Sequence, residues 1–320
     1  MYLPYLRGKQ YELIALRELC DTMAANREKI SPIIEPVKDS STFKSCIDCL
    51  AQQNINFTVI INPSVGDLKD SHEHTKTIIG HLSRLPANFN NWQLGVLIDS
   101  NFNFLQISQQ VLDLGFEGKK FTLIHNVIRR DIENILTRFN SGDHVEFNVI
   151  NYTHINDRRR YHRKFARDTI VSLDDFFLSQ PRNADYRQVG ESEFSEEHVF
   201  YREDGFRGFS DFLTIGEPYS DGGFLPYAVA IHITYEDNEG VIRVKHFTSI
   251  SNEDASDVGG KFAEALEELI NWCDEGHVLE TKAVEEFRSL HTSGHFPGLG
   301  VIKKLSIMHH IELILNLIET

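Results

Sequence analysis

The sequence predicts an α/β fold: a TIM-barrel-like (β/α)8 barrel with an inserted β-hairpin and extra C-terminal helices. Short apolar runs recur roughly every 25–40 residues with helical patterns between them, which is typical of parallel strands joined by helical crossovers. A polar residue follows most of these runs, as Glu35 follows Ile33-Ile34 and Asp99 follows Ile98. A parallel sheet of this kind either closes into a barrel or stays open and doubly wound, and the number of units and the polar strand ends favour closure. In a closed barrel such residues line the mouth at the carboxyl ends of the strands.

The first half of the chain supplies six strand–helix units. The predicted strands share aliphatic and β-branched residues and lie at 2–7, 31–37, 57–62, 93–99, 120–125 and 145–150. The helices that follow the first five have apolar positions three and four apart and lie at about 10–19, 40–53, 71–84, 103–115 and 130–139. Asp39, Ser40 and Ser41 supply N-cap side chains for the second of these helices.

The pattern is looser after residue 150. The predicted segments are a basic helix at 158–164, a seventh strand at 169–173, a long polar connection at 178–209 and an eighth strand at 211–215. Residues 227–235 and 241–247 alternate around Asp237-Asn238-Glu239-Gly240, which is typical of an antiparallel hairpin. This hairpin either extends one edge of the barrel or replaces the eighth strand.

Helices at 257–274 and 301–318 complete the predicted fold. No stretch has the composition of a linker, so we expect one elaborated domain over residues 1–320. Its barrel core would cover about residues 1–216, and the hairpin and C-terminal helices would cover about 217–320.

Composition and charge narrow the class of protein. The chain has 320 residues, of which 41% are hydrophobic and 25% charged, as is ordinary for globular domains. Its 47 acidic against 32 basic residues give a net charge of −15, so general binding to duplex nucleic acid is not expected and a basic protein partner would be attracted. Neither a signal peptide nor a run of the roughly 18–20 apolar residues that span a bilayer is present, so no membrane partner is expected.

The number of cysteines indicates the cellular compartment in which the protein is expected. The chain has four of them, Cys20, Cys46, Cys49 and Cys273, which indicates reduced thiols rather than a disulfide framework. We therefore expect a cytoplasmic protein.

The predicted site is the set of polar residues at the strand ends. Glu35, Asp99 and His125 are the candidate catalytic residues, because carboxylates and imidazole perform acid–base chemistry or hold a divalent ion. The candidate ligand-binding residues are Arg7, Lys9, Asn62, Asn151, Asp211 and Glu217. The alternative is that all of these side chains pair with one another to satisfy a buried barrel end. The sequence specifies no cofactor and no dedicated metal site.

Four other motifs are interpreted as structural. His72-Glu73-His74 lacks the spacing of a zinc protease and indicates a solvated cluster, and Cys46-Ile47-Asp48-Cys49 lies inside a predicted helix and indicates core packing. In the basic segment, Tyr161 and Phe165 are four apart and would pack inward, with the arginines solvated. His309-His310 also indicates packing.

One further segment, Ser256-Asp257-Val258-Gly259-Gly260-Lys261, has an incomplete resemblance to the end of a phosphate-binding loop. It lacks the first glycine and a strand leading into it. A helix N-terminus there, together with Gly222-Gly223, remains a possible site for a phosphate-bearing ligand.

Several stretches resemble the "beta protein" family of bacteria and phages. They are the opening Tyr2–Glu18, the strand end Ile34-Glu35-Pro36, the segment Ser210–Gly216 and the segment Tyr227–His232. The resemblance covers nearly the whole chain. It implies an α/β-barrel-like protein from mobile-element or defence neighbourhoods that acts with a partner protein, and it implies no catalytic residue.

Two functions are therefore expected. The first is a component of a bacterial defence or mobile-element system that acts through a partner protein or as a homo-oligomer. The alternative is an enzyme that acts on a small or phosphorylated ligand at the barrel mouth by carboxylate/His acid–base or metal-assisted chemistry.

Overall fold

We describe the protein from a computed structural model that covers residues 1–69, 72–86, 89–113, 118–140, 145–156, 160–222 and 226–319. The chain forms two compact units. The barrel unit consists of Met1–Asp174 and Phe200–Asp211, and the hairpin unit consists of Asp175–Val199 and Phe212–Glu319. The expectation of one elaborated domain stays a prediction.

Strands and helices alternate through the barrel unit and then give way to a hairpin and long helices. The strands are β1 (Tyr5–Leu6), β2 (Ile33–Ile34), β3 (Phe57–Ile60), β4 (Trp92–Ile98), β5 (Phe121–His125), β6 (Val145–Asn151), β7 (Ile170–Asp174), β8 (Glu191–Ser195), β9 (Gly208–Asp211), β10 (Ala230–Glu236) and β11 (Ile242–Thr248). The helices are α1 (Gln10–Glu18), α2 (Cys20–Ala25), α3 (Ser41–Gln52), α4 (His72–Leu82), α5 (Phe104–Asp113), α6 (Ile132–Asn140), α7 (Tyr186–Val189), α8 (Glu197–Phe200), α9 (Val258–Asp274), α10 (Lys282–Ser293) and α11 (Leu299–Leu317).

The barrel unit is built on eight parallel strands in the order β1-β2-β3-β4-β5-β6-β7-β9. The sheet returns to its start through a parallel bridge between Tyr2 and Phe209. There the Leu3 amide donates to the Phe209 carbonyl at 2.9 Å, and the Phe209 amide donates to the Met1 carbonyl at 3.0 Å. The predicted TIM-barrel-like α/β fold is confirmed.

The eighth strand lies earlier in the chain than predicted. Residues 208–211 form β9, whereas Leu213–Ile215, inside the predicted strand, form a 3-10 helix. A β-carbon at Gly208 would lie 2.5 Å from the Met1 carbonyl oxygen, so the closing strand needs a glycine where it approaches the N-terminus. The sequence Gly-Phe-Ser-Asp is therefore not the apolar run on which the other strands were recognised.

The hairpin unit contains a three-stranded antiparallel sheet in the order β10-β11-β8. The predicted hairpin is confirmed, with its turn closed by the Asp237 amide donating to the Val241 carbonyl at 2.9 Å. The predicted helices near 257–274 and 301–318 are present as α9 and α11. Strand β8 and helix α10 were not predicted, because the first alternates weakly and the second lies in a polar segment.

The thiol prediction needs one correction. Cys20, at the start of α2, and Cys49, in α3, form a disulfide with their α-carbons 6.7 Å apart. The two cysteines are 29 residues apart in sequence, and only the fold brings them together. Cys46 and Cys273 are free and buried, as core packing requires. Within the described ranges, each helix is too short or too polar to cross a bilayer.

Candidate functional site

Glu35 follows β2 and is completely buried. One of its carboxylate oxygens, Oε2, accepts hydrogen bonds from the Tyr5 hydroxyl at 2.7 Å and from the Arg7 guanidinium. The other, Oε1, accepts from the Ser64 amide at 2.7 Å and from the Ser64 hydroxyl at 2.9 Å. Four donors thus surround one carboxylate, which is the arrangement that satisfies a buried charge.

The backbone around Glu35 holds the carboxylate in this place. Its amide donates to the Leu6 carbonyl at 2.8 Å and so continues the pairing of β1 with β2. Gly8 has a φ of +61°, and a β-carbon there would lie 2.9 Å from the Glu35 carbonyl oxygen. The turn after β1 therefore packs so closely on the end of β2 that a glycine is needed.

His125, the last residue of β5, is also fully buried. Its Nε2 lies 3.1 Å from Asn148 Oδ1, and its Nδ1 lies 3.1 Å from the Tyr161 hydroxyl. Burial lowers the pKa of His125 to about 4, so the imidazole is neutral at pH 7. The rings of Tyr161 and Phe165 pack against it, with centroids 5.6 and 4.8 Å away. Both imidazole nitrogens are therefore engaged inside the barrel unit.

Asp99, Asn62 and Asn151 take part in local contacts near their strand ends. Asp99 Oδ1 accepts from the Asn101 amide at 2.8 Å. The Asn62 side chain donates to the Leu97 carbonyl at 3.0 Å and accepts from the Leu97 amide at 2.9 Å, which prolongs the pairing of β3 with β4. Asn151 is buried and accepts from the Thr153 amide at 3.2 Å.

Asp211 lies beside the seam that closes the barrel. It is buried, and its Oδ1 accepts from the Tyr2 hydroxyl at 2.7 Å. Burial, and then the Asp211 charge, raise the pKa of Tyr2 well above its usual value. This hydrogen bond joins the first residues of the chain to the end of β9.

The remaining predicted ligand residues are Lys9 and Glu217. Lys9 is partly exposed and directly precedes α1. Glu217 belongs to the hairpin unit, where its amide donates to Asp175 Oδ2 at 2.8 Å. Among the described residues, no three His, Cys, Asp or Glu side chains form a group that could hold a metal ion, and this includes the set Glu35, Asp99 and His125.

A different site lies in the hairpin unit, which contains a cavity of about 1180 Å³. Five segments of the unit line it. The lining residues are Phe177, Ser179, Gln180, Pro181, Arg182, Asn183, Ala184, Tyr186, Thr214, Ile215, Ser220, Pro226, Tyr227, Ala228, Val229, Ala230, His232, Asn252, Leu299, Ile302, Lys303 and Ser306. Arginine, lysine and histidine occur among these described lining residues, whereas aspartate and glutamate do not.

Two lining side chains differ from the strand-end residues because the described residues offer them no partner. Lys303 is exposed and makes no ion pair with any described side chain. Thr214 is 4% exposed, and its hydroxyl has no hydrogen-bond partner among the described residues. Arg182 also lines the cavity, but its guanidinium donates to the Asp185 carboxylate at 2.6 and 3.2 Å.

One wall of the cavity is aromatic. Phe177 and Tyr186 pack against His232, with ring centroids 5.1 and 4.6 Å away, and His232 Nδ1 lies 2.9 Å from His246 Nδ1. Burial lowers the pKa of His232 to about 3, with smaller contributions from His246 and Lys303. This wall is therefore uncharged at pH 7, and Lys303 is close enough for its charge to act on it.

The incomplete phosphate-loop motif is occupied by side chains of the protein. Asp257 caps α9, since its Oδ1 accepts from the Gly260 amide at 2.9 Å. Lys261 is buried and donates to the Asp254 and Ser256 carbonyls at 2.5 and 2.7 Å. A carboxylate at this helix N-terminus takes the place of an incoming anion. Gly223 lies outside the described residues.

The other motifs have structural surroundings where they are described. His309 and His310 are buried, and their Nδ1 atoms lie 2.9 Å from the Thr281 hydroxyl and 3.0 Å from the Thr234 hydroxyl. The backbone of residues 72–74 begins α4, and their side chains lie outside the described residues. Residues 157–159 of the basic segment also lie outside the described residues, and Tyr161–Lys164 of this segment form a 3-10 helix.

Sequence reasoning missed the cavity because its lining comes from segments far apart in the chain. One local signal was present: Leu299, Ile302, Lys303 and Ser306 recur at helical spacing, so that a lysine and a serine share a face with apolar residues. A scan against protein-family models matches no family, and a search of curated proteins finds no match. The interpretation of both sites therefore depends on their geometry.

Proposed function

We propose that the protein is a component of a bacterial defence or mobile-element system that acts through a partner protein, with the barrel serving as its scaffold. The contacts of Glu35 are the main support. This carboxylate, the first candidate for catalysis, already accepts four hydrogen bonds from Tyr5, Arg7 and Ser64. A group so fully engaged stabilises a fold better than it exchanges protons with a substrate.

Charge and exposed apolar side chains support the partner protein. The net charge of −15 favours a basic partner. Leu105 and Leu112 lie seven residues apart on α5 and are 70% and 52% exposed. Residues at this spacing lie on the same side of a helix, and exposed apolar side chains that cluster in this way are typical of contact surfaces.

The test is affinity purification of the tagged chain from its native host at low salt. We expect a basic protein to bind the native chain and to dissociate at high salt, because its attraction is partly electrostatic. The double substitution Leu105→Ser with Leu112→Ser should abolish the capture. Leu178→Ser, which changes another exposed leucine, should leave it intact. A native chain that purifies alone would contradict the proposal.

The alternative proposal is an enzyme that acts on a small or phosphorylated ligand at the barrel mouth. It is favoured by one observation: of the two candidate catalytic acids, Asp99 is only partly buried, whereas Glu35 is completely buried. If Asp99→Asn removes the biological activity of the chain without changing its stability, this alternative gains over the scaffold. A cytoplasmic location is part of both proposals, although a disulfide such as Cys20–Cys49 is more common in oxidising compartments.

A further inference from the structure

We propose that the cavity of the hairpin unit binds a small organic anion, with its acidic group near Lys303 and its apolar or aromatic body against the aromatic wall. This inference goes beyond the proposed partner protein, because it assigns a small-molecule site to residues that the partner surface does not include. Three features of the cavity support it: its charge, its apolar lining and an unsatisfied hydroxyl.

The first feature is the charge of the lining. The chain carries 47 acidic and 32 basic residues, yet the described lining contains no aspartate or glutamate. Its cations are Arg182, which is paired with Asp185, and Lys303, which has no ion-pair partner among the described side chains. A positive cavity in so acidic a protein attracts an anion that the rest of the surface repels.

The second feature is the size and the apolar part of the lining. A volume of about 1180 Å³ is more than a bare inorganic ion fills. It is slightly above the roughly 300–1,000 Å³ that is typical of cavities that hold organic ligands. Phe177, Tyr186 and Tyr227 supply aromatic surface, and Tyr227 is 60% exposed. Aromatic side chains that border a cavity in this way bind flat or apolar groups.

The third feature is the Thr214 hydroxyl. It is buried in the lining and has no hydrogen-bond partner among the described residues, which is a costly state for a polar group. An anionic or polar oxygen of a ligand would accept the hydrogen bond that this hydroxyl can donate. The cavity therefore offers a charge, an apolar surface and a directional donor to one molecule.

The probe is anilinonaphthalene sulfonate, an aromatic anion whose fluorescence rises on binding, and its uncharged control is N-phenylnaphthylamine, the same ring system without the sulfonate. Both are titrated into the full-length protein at low salt. We expect the sulfonate to bind more tightly, and Lys303→Gln to weaken its binding about tenfold by removing the nearby charge. Lys303→Arg keeps the charge and should hold the affinity within about twofold of the native value.

Lys76→Gln is the matched control, since Lys76 is an exposed lysine on α4 that does not line the cavity. This variant should bind the sulfonate as the native chain does. Thermal unfolding of each variant without probe shows that it is folded. The proposal is overturned if the neutral probe binds as tightly as the sulfonate, if Lys303→Gln leaves the affinity unchanged, or if Lys76→Gln lowers it equally.

Discussion

The strand ends of the barrel unit and the cavity of the hairpin unit differ in whether their polar side chains have partners within the fold. Glu35 accepts four hydrogen bonds, and His125 uses both ring nitrogens, so these groups are satisfied within the fold. In the cavity, Thr214 has no partner among the described residues, and Lys303 makes no ion pair with them. Position at a strand end is therefore a weaker sign of a binding site than a polar group that the fold leaves unsatisfied.

The largest expected difference between the two units is their loss of folding stability at acidic pH. Burial lowers the pKa of His125 in the barrel unit to about 4, and it lowers the pKa of His232, His246 and His309 in the hairpin unit to about 3, 4 and 4. Each unfolded histidine titrates near 6.5 and so binds a proton before the folded one does. Stability is therefore complete above about pH 6.5 and falls as the pH drops toward 4, by about 2 kcal/mol for each histidine at pH 5.

The two tryptophans allow the units to be followed separately, because Trp92 lies in the barrel unit and Trp272 in the hairpin unit. In the Trp272→Phe variant the remaining Trp92 fluorescence follows denaturant unfolding of the barrel unit. In the Trp92→Phe variant the remaining Trp272 fluorescence follows denaturant unfolding of the hairpin unit. The hairpin unit has three of the histidines whose pKa burial lowers to about 3 or 4, and the barrel unit has one. The hairpin unit should therefore lose more stability between pH 7.5 and pH 5. His309→Gln should reduce its loss, and equal losses in both units would break this part of the comparison.

The seam of the barrel should show a smaller effect. Tyr2→Phe removes the hydroxyl that donates to Asp211 and leaves the carboxylate without this donor. A hydrogen bond to a charged group contributes about 1.5–3 kcal/mol, and we expect that loss in the free energy of unfolding of the barrel unit. Tyr227→Phe is the control in the hairpin unit, where the side chain is 60% exposed and should lose almost nothing. Equal losses would show that the seam hydrogen bond adds no stability.

Two buried threonines give the smallest and most closely matched comparison. Thr58 Oγ1 lies 3.0 Å from Thr122 Oγ1 in the barrel unit, so Thr58→Val should cost about 1 kcal/mol. Thr214→Val removes a hydroxyl without a described partner, and we expect no loss or a slight gain. Denaturant unfolding of both variants measures the two changes. A loss at Thr214 as large as that at Thr58 would mean that its hydroxyl already serves the fold.

Much of the fold could be predicted from the sequence, because buried parallel strands consist of short runs of consecutive apolar residues. The eighth strand could not be predicted, since Gly208 and Ser210 are not apolar. These two residues instead pack against and hydrogen-bond to the first residues of the chain, where the barrel closes. The Cys20–Cys49 disulfide depends on which helices face each other, which no local pattern records.

The candidate site was predicted less well than the fold. The pattern of strand ends predicted that Glu35 would line the barrel mouth as a candidate catalytic residue, with a buried, paired carboxylate only as the alternative. It did not predict that Tyr5, Arg7 and Ser64 would donate hydrogen bonds to its carboxylate. Hydrogen-bond partners depend on side-chain geometry between strands. The cavity is lined by residues more than 100 positions apart, such as Arg182 and Lys303, and no local sequence pattern shows that such residues come together.

The unfolding free energy of Glu35→Gln, followed by Trp92 fluorescence in the Trp272→Phe background, tests the central claim most directly. The substitution places an amide group against the Tyr5 and Arg7 donors and leaves the Arg7 charge unpaired by Glu35. If Glu35 serves the scaffold, the barrel unit should lose about 3–5 kcal/mol. A variant as stable as the native chain, or more stable, would contradict this account and would return Glu35 to the role of a functional acid.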